Sequence, residues 1–177
     1  MYGCFQNFEP QNKECKMKTF DEYLEDLCRQ HPAIQHKGDD DCHFASSHDD
    51  SASKFASLMH YPCVIHDSGD FVFHSAGGTT VVTFENLVLF LDHVSDSGNN
   101  KEIQDVLKRT KKLLMDFMKK FSRDKKKCAY TFLNRFSAHE SEAHRITFKD
   151  AGLWGWALFI ATDETFIDQD CDKVFTD

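Results

Sequence analysis

Residues 79–94 read TTVVTFENLVLFLDHV, and they decide the fold. Successive side chains of an extended chain point to opposite faces. Val81, Thr83, Glu85, Leu87, Leu89 and Leu91 therefore share one face, and Val82, Phe84, Asn86, Val88, Phe90 and Asp92 the other. Both sets are largely apolar in the middle, which predicts a long strand covered on both sides. Beyond a polar loop at 95–100, Ile103, Val106, Leu107, Thr110, Leu114, Phe117 and Phe121 recur at helical spacing. That stripe predicts an amphipathic helix over residues 100–122, closed by Lys125–Lys127.

Working outward, Tyr61–His66 reads as a short apolar strand, with Pro62 at its start, where a missing N–H is tolerated. Gly69 marks a turn, Phe71 and Phe73 alternate on one face, and Gly77-Gly78 marks the turn into the long strand. On the other side, Cys128–Phe136 reads as a strand, residues 138–145 as a polar loop or hairpin tip, and Ile146–Phe148 as a short extended piece. Trp156, Leu158 and Ile160 alternate in a closing strand. Near the start, Thr19 and Glu22 form a capping box for a helix beginning at Phe20, and Pro32 ends it near Gln30. Residues 33–50 read as a polar, acidic loop and Ser51–His60 as a helical turn.

The order strands, helix, strands predicts an α+β fold. Its sheet is mixed and mainly antiparallel, with one long amphipathic helix packed on it and an N-terminal helix. The expected organisation is an N-terminal arm at 1–16, one domain at 17–162 and an acidic tail at 163–177. Tyr2, Phe5 and Phe8 would anchor the arm, and Phe166 and Phe175 the tail.

The chain has 177 residues, enough to bury roughly 70% of its unfolded surface. Seventeen Phe and only three Pro argue against disorder. The net charge of −8 argues against a nucleic-acid binder that works through overall charge. Seven irregularly spaced cysteines with no CxxC, and no leader-like apolar run, are read as reduced thiols in a cytoplasm-made protein. No apolar run is long enough to span a bilayer.

Candidate chemistry is sparse. His31, His36, Cys42, His43 and His48 lie close together beside three aspartates, but their spacing matches no zinc motif. They are read first as loop residues bonding to backbone or capping neighbours, with no metal ligand assigned; a metal-dependent protein built on this loop is the lesser alternative. Cys63, between His60 and His66, is read as core and not as a nucleophile, because Pro62 and Val64 flank it and no oxyanion-forming Gly-rich turn follows it. No nucleotide-binding or hydrolase motif is present, so no catalytic residue and no cofactor is expected. The strongest signal is electrostatic. Residues 101–127 hold eleven Lys/Arg and four Asp/Glu, a balance of +7 that leaves −15 elsewhere. Lys108, Lys111, Lys112 and Lys119 lie off the apolar stripe. They read either as a solvated face or as a surface for an acidic neighbour. Together with Phe5, Phe8, Phe166 and Phe175 they are the expected interaction residues.

Several features coincide in order: His31-Pro32-x-Ile34-x-His36, then Phe44, then Tyr61-Pro62 leading a strand. Phe90-Leu91-Asp92-His93-Val94 with Asp96, a long charged helix and Gly155-Trp156 follow. Over roughly residues 18–162 this pattern resembles small virion proteins of tailed phages of Bacteroidales, including the crAss-like phages. The order of elements is similar to tail-terminator and neck connector ring proteins. The resemblance implies a structural, non-enzymatic subunit without cofactor, located in the virion neck or tail and assembled in the host bacterial cytoplasm. Its implied partners are copies of itself in a ring and adjacent neck or tail proteins, with DNA passing through the ring non-specifically and no membrane contact. The alternative reading is a non-enzymatic acidic adaptor or immunity-type binding module.

Overall fold

The computed structural model describes residues 18–38, 41–46, 59–76 and 79–165. The arm with Phe5 and Phe8, the Gly77-Gly78 turn, most of the helical turn expected at 51–60, and the tail with Phe166 and Phe175 lie outside the described residues.

The fold is α+β. Helix α1 spans Phe20–Gln30 and helix α2 spans Asn100–Lys126. The strands are β1 (Phe44–Ser46), β2 (Cys63–Ala76), β3 (Thr79–His93), β4 (Glu142–Phe148) and β5 (Leu153–Thr165), in the sheet order β1-β2-β3-β5-β4. Among the described residues, only β1 and β2 pair in parallel. The capping box is present: the Glu22 N–H donates to Thr19 Oγ1 at 3.2 Å, and the Thr19 N–H donates to Glu22 Oε2 at 3.0 Å. Asn99 caps α2 by accepting from the Lys101 and Glu102 N–H groups.

Cross-strand partners share a face, so the register sorts the sheet into two sides. Val64, Val88, Phe90, Leu158 and Ile160 face the helices. They form one core with Phe20, Tyr23, Leu24, Leu27 and Cys28 of α1 and Leu113, Leu114, Phe117 and Phe121 of α2. Phe90 meets Phe117 edge to face, with ring centroids 5.2 Å apart. Trp154 extends this side against Ile103, Val106 and Leu107.

The opposite side differs from expectation. Its cluster of Ala45, Met59, Cys63, Leu91 and Leu153, flanked by Tyr61, Ile65, Leu89 and Ile146, contains no helical residue. Because both helices pack on the first side, no described helix covers the second. Leu87 and Leu89 are half-buried, and Phe159, opposite Leu87, is 47% exposed.

Three local readings are corrected. Residues 128–136 are not a strand: Thr131–Asn134 is a 3-10 turn that buries Phe132 and Leu133, with Phe136 following, under the helices. Gly69 is not a turn between strands. It lies in a β-bulge of the continuous β2, where an added Cβ would sit 2.5 Å from the Glu85 carbonyl oxygen. Residues 44–46, read as loop, form β1. Gly155 is a second forced glycine, since a Cβ there would lie 1.9 Å from the Phe90 carbonyl oxygen.

Candidate interaction surfaces

α2 separates its residues cleanly. Its apolar stripe is buried against the sheet, while Lys108, Lys112 and Lys119 are exposed on the opposite side and Lys111 is exposed on the flank beside Trp156. Lys108 and Lys119 make ion pairs with Asp105 (3.7 Å) and Asp116 (3.1 Å), three residues earlier. Exposed pairs of this kind contribute little to stability, about 0–1 kcal/mol. The Lys111 ammonium lies 5.7 Å from the Trp156 ring centroid, and the Trp156 indole N–H donates to the Leu107 carbonyl at 3.1 Å. Among these lysines Met115 is exposed. A groove of about 690 Å³ runs between α2 and β4, floored by Leu114, Met118 and Leu158 and rimmed by Lys119, Arg123 and Lys126.

The second sheet face, which no described helix covers, lies on the other side of the sheet. Register places Ile65 beside Leu89, Leu87 beside Phe159, and Ile146 beside Gly155, giving an apolar stripe across four strands. Asp67 is opposite Leu87, Glu142 opposite Phe159, and Glu85 opposite Ala161, so acidic groups border that stripe on the same face. Asp67, Glu85 and Glu142 are all exposed. Past the bulge, the β2–β3 pair carries Phe71 and Phe73 with rings 5.5 Å apart; both are more than half exposed. The sequence reading found the lysines but not this acidic border, because only strand register brings its members together.

Polar contacts seat the helices. Asp21 of α1 bonds His66 of β2, whose other ring nitrogen is 2.9 Å from Asn86 Oδ1; the Asn86 amide donates to Thr162 Oγ1 at 2.9 Å. The Arg109 guanidinium donates from Nε and Nη2 to the buried Asp92 carboxylate at 3.0 and 2.8 Å. The Tyr23 hydroxyl donates to the buried Asp124 at 2.9 Å. Burial, aided by this bond, pushes the Tyr23 phenol well above its ordinary value.

The histidine-rich segment does not converge as a whole. His31 lies 3.8 Å from Asp116, and burial lowers its imidazole pKa. His36 is buried and accepts the His43 N–H on Nδ1 at 3.1 Å. Cys42 donates its thiol to the Phe44 carbonyl, and His48 lies outside the described residues. His43 instead meets Asp41 and His60. Cys63 is fully buried, and burial pushes its thiol far up, as a core cysteine requires.

No helix among the described residues is long and apolar enough to cross a membrane. No protein-family model, curated protein or solved structure matches this chain.

Proposed function

We propose that this chain is a structural subunit that joins copies of itself head to tail, as ring subunits of a phage neck or tail do. The observation that carries this reading is that two unlike surfaces lie on opposite sides of one sheet. One is the lysine-rich outer face of α2; the other is an apolar sheet face bordered by Asp67, Glu85 and Glu142. Among the described residues no helix covers that face, Phe159 on it is 47% exposed and Ile65, Leu87, Leu89 and Ile146 are half-buried, and apolar surface of this kind suits a partner. Opposite charges suit the two surfaces to each other, and a contact between unlike patches repeats from copy to copy until rotation closes a ring. The neighbour's acidic tail, with Phe166 and Phe175, suits the basic-rimmed groove beside α2. In this role the chain needs no cofactor and carries out no chemistry.

Light scattering and micrographs of the purified chain, alone and mixed with the neck and tail proteins of a phage, test the proposal. Closed oligomers are expected. Reversing Lys111 and Lys112 to Glu is expected to abolish them while leaving the melting temperature within a few degrees. Reversing Glu85 and Glu142 to Lys in the same chain is expected to restore them. A chain that stays monomeric under all these conditions, or assembles equally well with the lysines reversed, overturns the reading.

A further inference from the structure

Asp41 and His43 stand two residues apart just before β1, and His60 stands three residues before β2. The two segments are clipped together by backbone bonds. The His60 N–H donates to the Cys42 carbonyl at 2.8 Å, and the Val64 N–H donates to the His43 carbonyl at 2.9 Å. This brings one ligand atom from each of Asp41, His43 and His60 within 4.8 Å of the others. His60 Nδ1 is 2.6 Å and His43 Nε2 is 3.1 Å from the same oxygen, Asp41 Oδ1. The two imidazoles approach it with ring planes 79° apart.

The far side of His43 decides what its near side can do. Nδ1 lies 2.8 Å from the Pro62 carbonyl oxygen. A carbonyl can only accept, so Nδ1 donates to it, which leaves Nε2 as the ring nitrogen that faces Asp41 and His60 and is placed to coordinate an ion. A backbone carbonyl holding one ring nitrogen so that the other can coordinate is the usual outer support of a metal-bound histidine. His36 adds a second brace by accepting the His43 backbone N–H at 3.1 Å. His43 and His36 are both buried, whereas the His60 side chain is 58% exposed and free to adjust. The cluster is thus half fixed and half open to solvent.

We infer that Asp41, His43 and His60 form a binding site for a divalent transition-metal ion of the zinc type. Two neutral imidazoles and one carboxylate are a donor set that suits such ions, and they leave at least one position for water. Ligands at ~2.0–2.1 Å in tetrahedral array stand roughly 3.3 Å apart. The 3.1 Å separation of His43 Nε2 from Asp41 Oδ1 is already close to that, and the exposed His60, 2.6 Å from Asp41 and within 4.8 Å of the His43 ligand atom, is the side chain that adjusts. Cys42 turns its thiol toward the Phe44 carbonyl and is not a ligand. Bound metal closes the chain between His43 and His60 into a loop at the entrance to β2, so binding is coupled to stability. The site is independent of the ring reading, because Asp41, His43 and His60 lie outside α2 and outside the five strands that carry the proposed contact surfaces.

The test uses the full chain, stripped with a chelator and titrated with Zn²⁺ alone, read by calorimetry and by thermal melting. Binding of one ion per chain is expected, with a melting temperature that climbs as free Zn²⁺ rises. Asp41→Asn and His60→Ala alter partly or largely exposed side chains and are expected to fold normally in far-UV dichroism. Each is expected to weaken Zn²⁺ binding by roughly 10-fold or more. Cys42→Ser is expected to bind as the parent does. Absence of saturable binding to the parent chain overturns the assignment. So does undiminished binding to both Asp41→Asn and His60→Ala, which would place the ion on other donors.

Discussion

Three side chains buried without charge set an alkaline limit on this fold. Burial pushes the Tyr23 phenol and the Cys28 and Cys63 thiols above their ordinary values of 10.0, 9.0 and 9.0. Folded, all three hold their protons; unfolded, they release them near those ordinary values. Above about pH 9 the unfolded chain therefore binds fewer protons than the folded one, and stability falls as pH rises. Their contribution is fully present at neutral pH. Urea midpoints measured from pH 7 to pH 10.5 are expected to fall steadily above pH 9, and a flat profile would contradict the burial of these groups. None of this chemistry is visible in the chain as text. A cysteine beside a proline and a valine reads as core, but the size of the effect depends on what closes over it.

At the scale of elements, the segment after α2 is the most instructive. Tyr130, Phe132 and Asn134 alternate as a strand would, yet Phe132, Leu133 and Phe136 are buried at a spacing that only a tight turn supplies. Alternation over a few residues cannot distinguish the two, and the core beneath α1 and α2 decides. Leu133 is fully buried there, so Leu133→Ala is expected to cost about 2–5 kcal/mol in chemical denaturation, with no effect on exposed-surface contacts. A loss below about 1 kcal/mol would place the segment outside the core. By contrast, β3 and α2 were legible because their periods persist over 15 and 27 residues. The three residues of β1 were not, since their pairing comes from β2 and their own sequence is polar on either side. The interaction surfaces divide in the same way. The lysines stand off a helical stripe that can be counted along the chain, whereas Asp67, Glu85 and Glu142 share a face only through strand register, and His60 reaches Asp41 and His43 only through the backbone bonds that join the two segments.

At the scale of the whole molecule, the charge distribution is the feature with consequences. A chain of net −8 carries +7 on the segment 101–127, and Asp67, Glu85 and Glu142 lie on the far side of the sheet from α2. If copies meet through these surfaces, salt must weaken them. The screening length shortens from about 10 Å near 0.1 M to about 3 Å near 1 M. Oligomer mass measured by light scattering is therefore expected to fall over that range. An oligomer that is indifferent to salt, or grows with it, would point to apolar contact alone.

One further consequence follows from the way the layers are joined. Asp21 ties α1 to β2, Arg109 ties α2 to β3 through Asp92, and Tyr23 ties α1 to α2 through Asp124. Greasy contacts alone would let a helix slip or roll by a fraction of a turn at little cost. This triangle of directional bonds removes that play, so the angle between the outer surface of α2 and the far side of the sheet is set within the molecule itself. Where identical parts are laid end to end, a small angular error in one is repeated in all, and only parts held to such tolerance can bring the last into contact with the first.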